Sequence, residues 1–259
     1  MLRLVLEYDG SDFHGWQSQS SVRTVEGVFR DAVRQVTGES PRLSAAGRTD
    51  AGAHSHGQVV GLPLSSEWDP QRLSSALNAV LPSDVAVRSA ERAPADFHAR
   101  FDALNRTYRY VVTARRERAP LLRRHAWQCT GDLDIVRMRD AASLLSGRHD
   151  FAAFGRSPRP GGSTERTVER ATVRRVAAPV ADETRAYVIE ISADAFLYGM
   201  MRAIAGALVA VGRGRMTVED VGRMLTEPKA CRTVTVAPAR GLHQWSVTYP
   251  EAAASETSA

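Results

Sequence analysis

The sequence predicts an α+β fold in which two α/β halves share one largely antiparallel central sheet, with a cleft between them. Three observations carry this. Apolar runs of strand length recur along the chain, beginning with RLVLEY and ending with Gln244–Tyr249. Segments with apolar residues at three- and four-residue spacing lie among them in both halves. The strict β-α-β alternation of a doubly wound parallel sheet is missing, which favours antiparallel pairing.

The elements follow in order. After RLVLEY, a polar loop over 9–21 carries Phe13 and Trp16. Val25, Val28, Phe29, Ala32, Val33 and Val36 recur at helical spacing behind Thr24, which fits an N-cap. A short strand at 42–45, a glycine-rich turn and a strand over 58–64 come next. Asp69-Pro70 opens a second helix, to Val80, with Asp as cap and Pro at the first helical position. Residues 85–89, 97–101 and 107–113 read as extended, the last as the alternating TYRYVVT. In the second half, a helix spans 134–146 and RSPRPGGSTE (156–165) reads as a mobile loop. Long strands over 168–177 and 185–193 pair through a turn at 179–183. Helices over 196–211 and 218–225 precede the last strand. The halves are 1–102 and 103–250, and EAAASETSA (251–259) reads as a disordered tail.

With 259 residues, 43% hydrophobic and 24% charged, the chain can bury a sizeable core. Cys129 and Cys231 lack metal-ligand spacing and read as buried, reduced thiols. The start, MLRLVLEYDG, reaches a glutamate too early for a signal peptide. The most apolar stretch, 195–212, is interrupted by Arg202 and falls short of a membrane span. These features point to a cytoplasmic protein. Net charge is +5, and lysine occurs once, at Lys229, so arginine carries nearly all the positive charge. Between 103 and 124 seven arginines face a single acid, Glu117. Such a run attracts phosphate backbones, and guanidinium groups stack on exposed bases, so a structured RNA is the expected partner.

AGRTDAGAHSHGQVV (46–60) concentrates the chemistry. Glycines at 47, 52 and 57 permit left-handed backbone and close approach of another chain, and place Asp50 at the tip of a tight loop. One reading is an Asx-turn aspartate satisfied by its own backbone. Another joins Asp50, His54 and His56 as metal ligands of a hydrolase, although no further cluster completes a shell. In TYRYVV, Tyr108 and Tyr110 share one face of a strand, and spacing does not choose between them.

AGRTDAGAHSHGQVV closely resembles the catalytic motif of the tRNA pseudouridine synthase A family. EYDGSDFHGWQSQ (7–19), DFHARFDALNRTYRYVV (96–112), AFLYGMMRAIAGALVAVGRGR (195–215) and ARGLHQWSVTYP (239–250) resemble the family's other segments in the same order. The resemblance implies the pseudouridine synthase fold and conversion of uridines 38, 39 and 40 of the tRNA anticodon stem-loop to pseudouridine. It implies no cofactor, no metal and a homodimer. It assigns Asp50 as nucleophile, Arg202 as the partner of that carboxylate, Tyr108 to stacking on the target uracil and Arg48 to the gap left by a flipped base. Ser18, Gly199 and Ala203 depart from the residues usual at those positions, which bears on substrate fit. Elementary physics agrees with the pairing: a charged aspartate in a dry pocket and an arginine in an apolar helix are each costly alone, and together offset one another. The rival from another class is a tRNA-binding chaperone without catalysis.

Overall fold

The computed structural model describes residues 1–178, 181–228 and 234–250. Ten strands form one sheet: β1 (Leu2–Tyr8), β2 (Ser44–Ala45), β3 (His54–Leu62), β4 (Val85–Arg92), β5 (Asn105–Ala114), β6 (Trp127–Cys129), β7 (Gly147–Asp150), β8 (Glu165–Ala178), β9 (Ala181–Ala193) and β10 (Leu242–Thr248). The order is β4-β1-β3-β10-β5-β9-β8-β7, with β2 paired to β3 and β6 to β5. Pairing is antiparallel except for β5 with β6 and β3 with β10. The β3–β10 seam is short, His243 opposite His54 and Gln244 opposite Ser55.

Among the described residues, five α-helices flank the sheet: α1 (Val25–Thr37), α2 (Pro70–Val80), α3 (Ile135–Ser143), α4 (Met200–Gly212) and α5 (Val218–Thr226). Their starts follow local chemistry. Thr24, Asp69 and Asp134 accept backbone N–H bonds as N-caps, and Thr217 with Asp220 forms a capping box. Phe29 and Val33 of α1 and Leu73 and Leu77 of α2 pack on Leu2, Leu4, Leu6, Val60 and Leu62. A second cluster sets α3, α4 and α5 against Tyr110, Val112, Val173, Ile189 and Ile191. Each such aliphatic side chain, fully removed from water, contributes about 1.5–3 kcal/mol.

Some elements differ from the sequence reading. Residues 97–101 form turns, because Asp102 Oδ2 accepts the His98 N–H at 2.8 Å and Phe101 N bonds to His98 O. α4 begins at Met200, since Gly199 takes φ 77°, and the segment before it bridges to Arg156. The loop from Arg156 is thus pinned at its first residue. β3 starts at His54, and β6 and β7 were not foreseen. Cys129 is buried and unpaired, while Cys231 and the tail at 251–259 lie outside the described residues. Among the described residues no helix is long and apolar enough to cross a membrane.

Candidate active site

The loop between β2 and β3 is bound to the loop after β1. Trp16 N donates to Thr49 O at 3.1 Å, Gly52 N to Phe13 O at 3.2 Å, and Ala53 N closes a turn onto Asp50 O at 3.1 Å. Of the three motif glycines only Gly52 is left-handed, at φ 78°. Gly47 and Gly57 matter for contact instead: a β-carbon at Gly57 would come within 2.6 Å of Trp245 O. Asp50 therefore projects from a rigid bend into a cleft of about 1470 Å³, which Arg48, Tyr108 and Arg202 also line.

Arg202 Nη1 donates to Asp50 Oδ2 at 2.6 Å, and its Nε donates to Ala237 O at 2.7 Å. The guanidinium is thus braced from two sides, and Ala237 N returns a backbone bond to Arg202 O at 3.1 Å. Both side chains are mostly shielded, 17% exposed for Asp50 and 23% for Arg202, yet face the cleft.

Tyr108, on β5, is buried with its ring edge-on to Phe196 at 4.7 Å. A β-carbon at Gly47 would lie 3.1 Å from its hydroxyl. Burial pushes its phenol up to about 12, with Arg106 opposing and the Asp50 charge adding, so it stays protonated at neutral pH. Tyr110 donates to Pro238 O at 2.6 Å from the second core. Arg48 is exposed, and among the described residues its guanidinium has no ion-pair partner.

Sequence reasoning missed the layer beneath the loop. Gln58, fully buried in β3, donates through Nε2 to Gly47 O at 2.8 Å and accepts Gly47 N at Oε1, 3.3 Å. Gln244 Nε2 donates to the same Oε1 at 3.2 Å, and Gln244 Oε1 is buried without a hydrogen-bond partner among the described residues. Tyr8 and Thr49 share a hydroxyl hydrogen bond of 2.8 Å. The available signal was a glutamine inside the apolar run QVVGL, since buried polar side chains are informative.

The three residues considered as metal ligands do not converge. His54 Nδ1 lies 3.1 Å from Asp9 Oδ1, while its Nε2 faces Arg124 O at 2.8 Å. His56 packs on Trp245, with ring centroids 4.4 Å apart. Asp9, His54 and His125 do bring ligand atoms within 4.8 Å of one another. However, Gly10 N–H already donates to His54 Nδ1 at 3.2 Å, so a metal there would displace that bond.

The arginine run at 103–124 is largely spent on the fold. Arg109 pairs with Glu190 at 2.6 Å and covers Trp245, its guanidinium 3.5 Å from the ring centroid. Arg124 pairs with Asp12 at 2.8 Å, Arg106 donates to the carbonyls of Ala103 and Asp194, and Arg115 bonds Glu117 O. Positive charge in the cleft comes mainly from scattered positions. Arg30, Arg42, Arg100 and Arg156 join Arg48, Arg106 and Arg202 there, against Glu26 and Asp50.

A family profile described as tRNA pseudouridine synthase matches residues 4–102 and 141–250. The chain is 42% identical over 248 residues to the tRNA pseudouridine synthase A of Methylobacterium radiotolerans, covering 95% of this chain and 97% of that protein. It is 41% identical over 254 residues to that of Chloroflexus aurantiacus, covering 96% and 88%. Against that of Agrobacterium fabrum the identity is 41% over 256 residues, covering 96% and 92%. The profile match and relatives matching along nearly the whole length lead to one conclusion: the chain belongs to the tRNA pseudouridine synthase family, a family of isomerases.

Proposed function

We propose that this protein isomerises uridine to pseudouridine at positions 38, 39 and 40 of the tRNA anticodon stem-loop, with Asp50 as nucleophile. The N1–C1′ bond breaks, the uracil rotates, and a C5–C1′ bond forms; N1 gains a proton and C5 loses one. The observation that carries this reading is the 2.6 Å pair between Arg202 and Asp50, at the wall of a cleft rich in arginine. The pair holds the carboxylate in a shielded place where it can meet the sugar C1′, the uracil C6 or a sugar proton.

The other residues have complementary parts. A uridine inside a stacked stem must be extruded, at a cost of a few kcal/mol. Arg48, exposed two residues before Asp50, fills the vacated space and meets phosphates. Tyr108 stacks on the uracil, a contact of about 1–3 kcal/mol. As a neutral phenol it does so without adding charge. The enzyme works in the cytoplasm as a homodimer, and it needs neither metal nor cofactor.

The test uses unmodified tRNA carrying tritium at uridine C5, in buffer containing EDTA. Wild type releases tritium, and mapping places the product at 38–40. Asp50→Asn releases none while its affinity for tRNA stays within a few-fold, because phosphate contacts dominate binding. Undiminished release from Asp50→Asn, or binding lost in parallel with activity, would overturn the assignment of Asp50. Tight binding by a wild type that releases nothing would favour a non-catalytic tRNA-binding protein.

A further inference from the structure

Among the described residues, two phenylalanine, tyrosine or tryptophan side chains are exposed: Phe101 at 68% and Tyr198 at 61%. Both open into the cleft that holds Asp50. Each stands beside an arginine that also lines it. The Arg100 guanidinium lies 5.7 Å from the Phe101 ring centroid and that of Arg156 lies 5.6 Å from Tyr198. The two rings come from unrelated segments, and both are held in place by backbone. The Phe101 turn is closed by the His98 and Asp102 bonds. Tyr198 exchanges two backbone bonds with Arg156, at 3.2 and 2.9 Å, two residues beyond the Phe196 ring that meets Tyr108.

We infer that Phe101 and Tyr198 are stacking platforms for unpaired nucleobases flanking the reacting uridine, with Arg100 and Arg156 taking the adjoining phosphates. This rests on the proposed reaction and adds to it how the rest of the RNA is gripped. Extruding a base strips its neighbours of a stacking partner, and a fixed ring recovers part of that cost. Alternating exposed rings and guanidiniums suit single-stranded nucleic acid, because every base has a π-face and every linkage a charge. Stacking of this kind tolerates different sequences.

The experiment measures KM and kcat by tritium release and Kd for unmodified tRNA, at several salt concentrations. The variants are Tyr198→Ala, Tyr198→Phe, Phe101→Ala, Phe101→Tyr and Arg156→Ala. Each alanine at a ring position raises KM and Kd about 5- to 150-fold, leaves kcat within a few-fold and leaves the salt slope unchanged. Tyr198→Phe and Phe101→Tyr bind as wild type. Arg156→Ala lowers the salt slope by about one. Both positions are exposed, and thermal melting confirms that the variants fold. Unchanged Kd in both alanine variants, or losses that the aromatic replacements do not restore, would overturn the inference. A wild type that binds without releasing tritium would overturn the reaction, while the Kd series still decides the stacking.

Discussion

Gln58 reaches Gly47 with both ends of its amide, substituting for the strand partner that a sharp bend cannot have. Replacing it with leucine leaves the Gly47 N–H and C=O unpaired beneath the loop, and removes the bond from Gln244. An unsatisfied buried polar group costs about 1–3 kcal/mol. Gln58→Leu is therefore expected to lose that much stability in urea denaturation, and to lower kcat for tritium release more than tRNA affinity. Wild-type stability together with wild-type kcat would mean that the Trp16–Thr49 and Gly52–Phe13 bonds hold the bend alone. At this scale the sequence was informative where a residue type contradicts its surroundings. Arg202 stands out in an apolar helix and Asp50 among glycines. The partners Gln244 and Ala237 O were invisible, because no local pattern records which distant residue will face a given atom. The arginine run was legible as charge but not as pairing: a cluster in sequence does not say that Glu190 and Asp12 will pair with Arg109 and Arg124.

Helix α4 carries Arg202 and packs unusually close to the segment before β10. A β-carbon at Gly206 would sit 1.9 Å from Thr235 O, inside any permitted contact. Gly206→Ala must push that segment away, and with it Ala237, whose carbonyl takes Arg202 Nε. Overpacking of this kind costs about 1–3 kcal/mol or more. The expected outcome is a lower melting temperature and a larger loss of tritium release than stability alone accounts for. A variant that melts and turns over like wild type would show that the segment yields freely. Helices were the most legible elements, since apolar spacing and a capping residue both announce them. β6 and β7, at three and four residues, are too short to establish a period. The turns at 97–101 resemble a strand in composition, and are decided by one aspartate four residues beyond His98.

Across the molecule, the seam between β3 and β10 is also where the histidines gather. His54 and His243 stack with centroids 4.7 Å apart, and His125 and His56 adjoin them. Burial first, then the neighbouring imidazole of His54, lowers His243 to about 3, and burial lowers His54 as well. Asp9 faces His54 and His125, and Glu7, Arg88 and Arg109 face His56. The unfolded chain takes up protons on these histidines near pH 6.5, while the folded His243 does not do so until about 3. Between those values the unfolded state binds more protons, so stability falls as the pH is lowered and is fully present above the unfolded value. Urea denaturation at pH 7.5, 6 and 5 should show this decline, with a shallower slope for His243→Gln. Identical slopes would remove His243 from the account.

The position of β10 in the middle of the sheet has a consequence for how the protein comes into being. β3 and the Asp50 bend are made early, with β1 and β4 on one side and, on the other, only the two-residue β2 opposite Val60 and Gly61. Residues 242–248, which pair with His54 and Ser55 of β3 and supply Gln244, are translated about 190 residues later by the register of the seam. Until then the His54–Ser55 end of β3 is an unpaired strand edge of the kind that recruits wrong partners. The floor of the cleft is laid only when translation reaches its last strand, so a prematurely released fragment would contain the Asp50 loop without the surface that supports it.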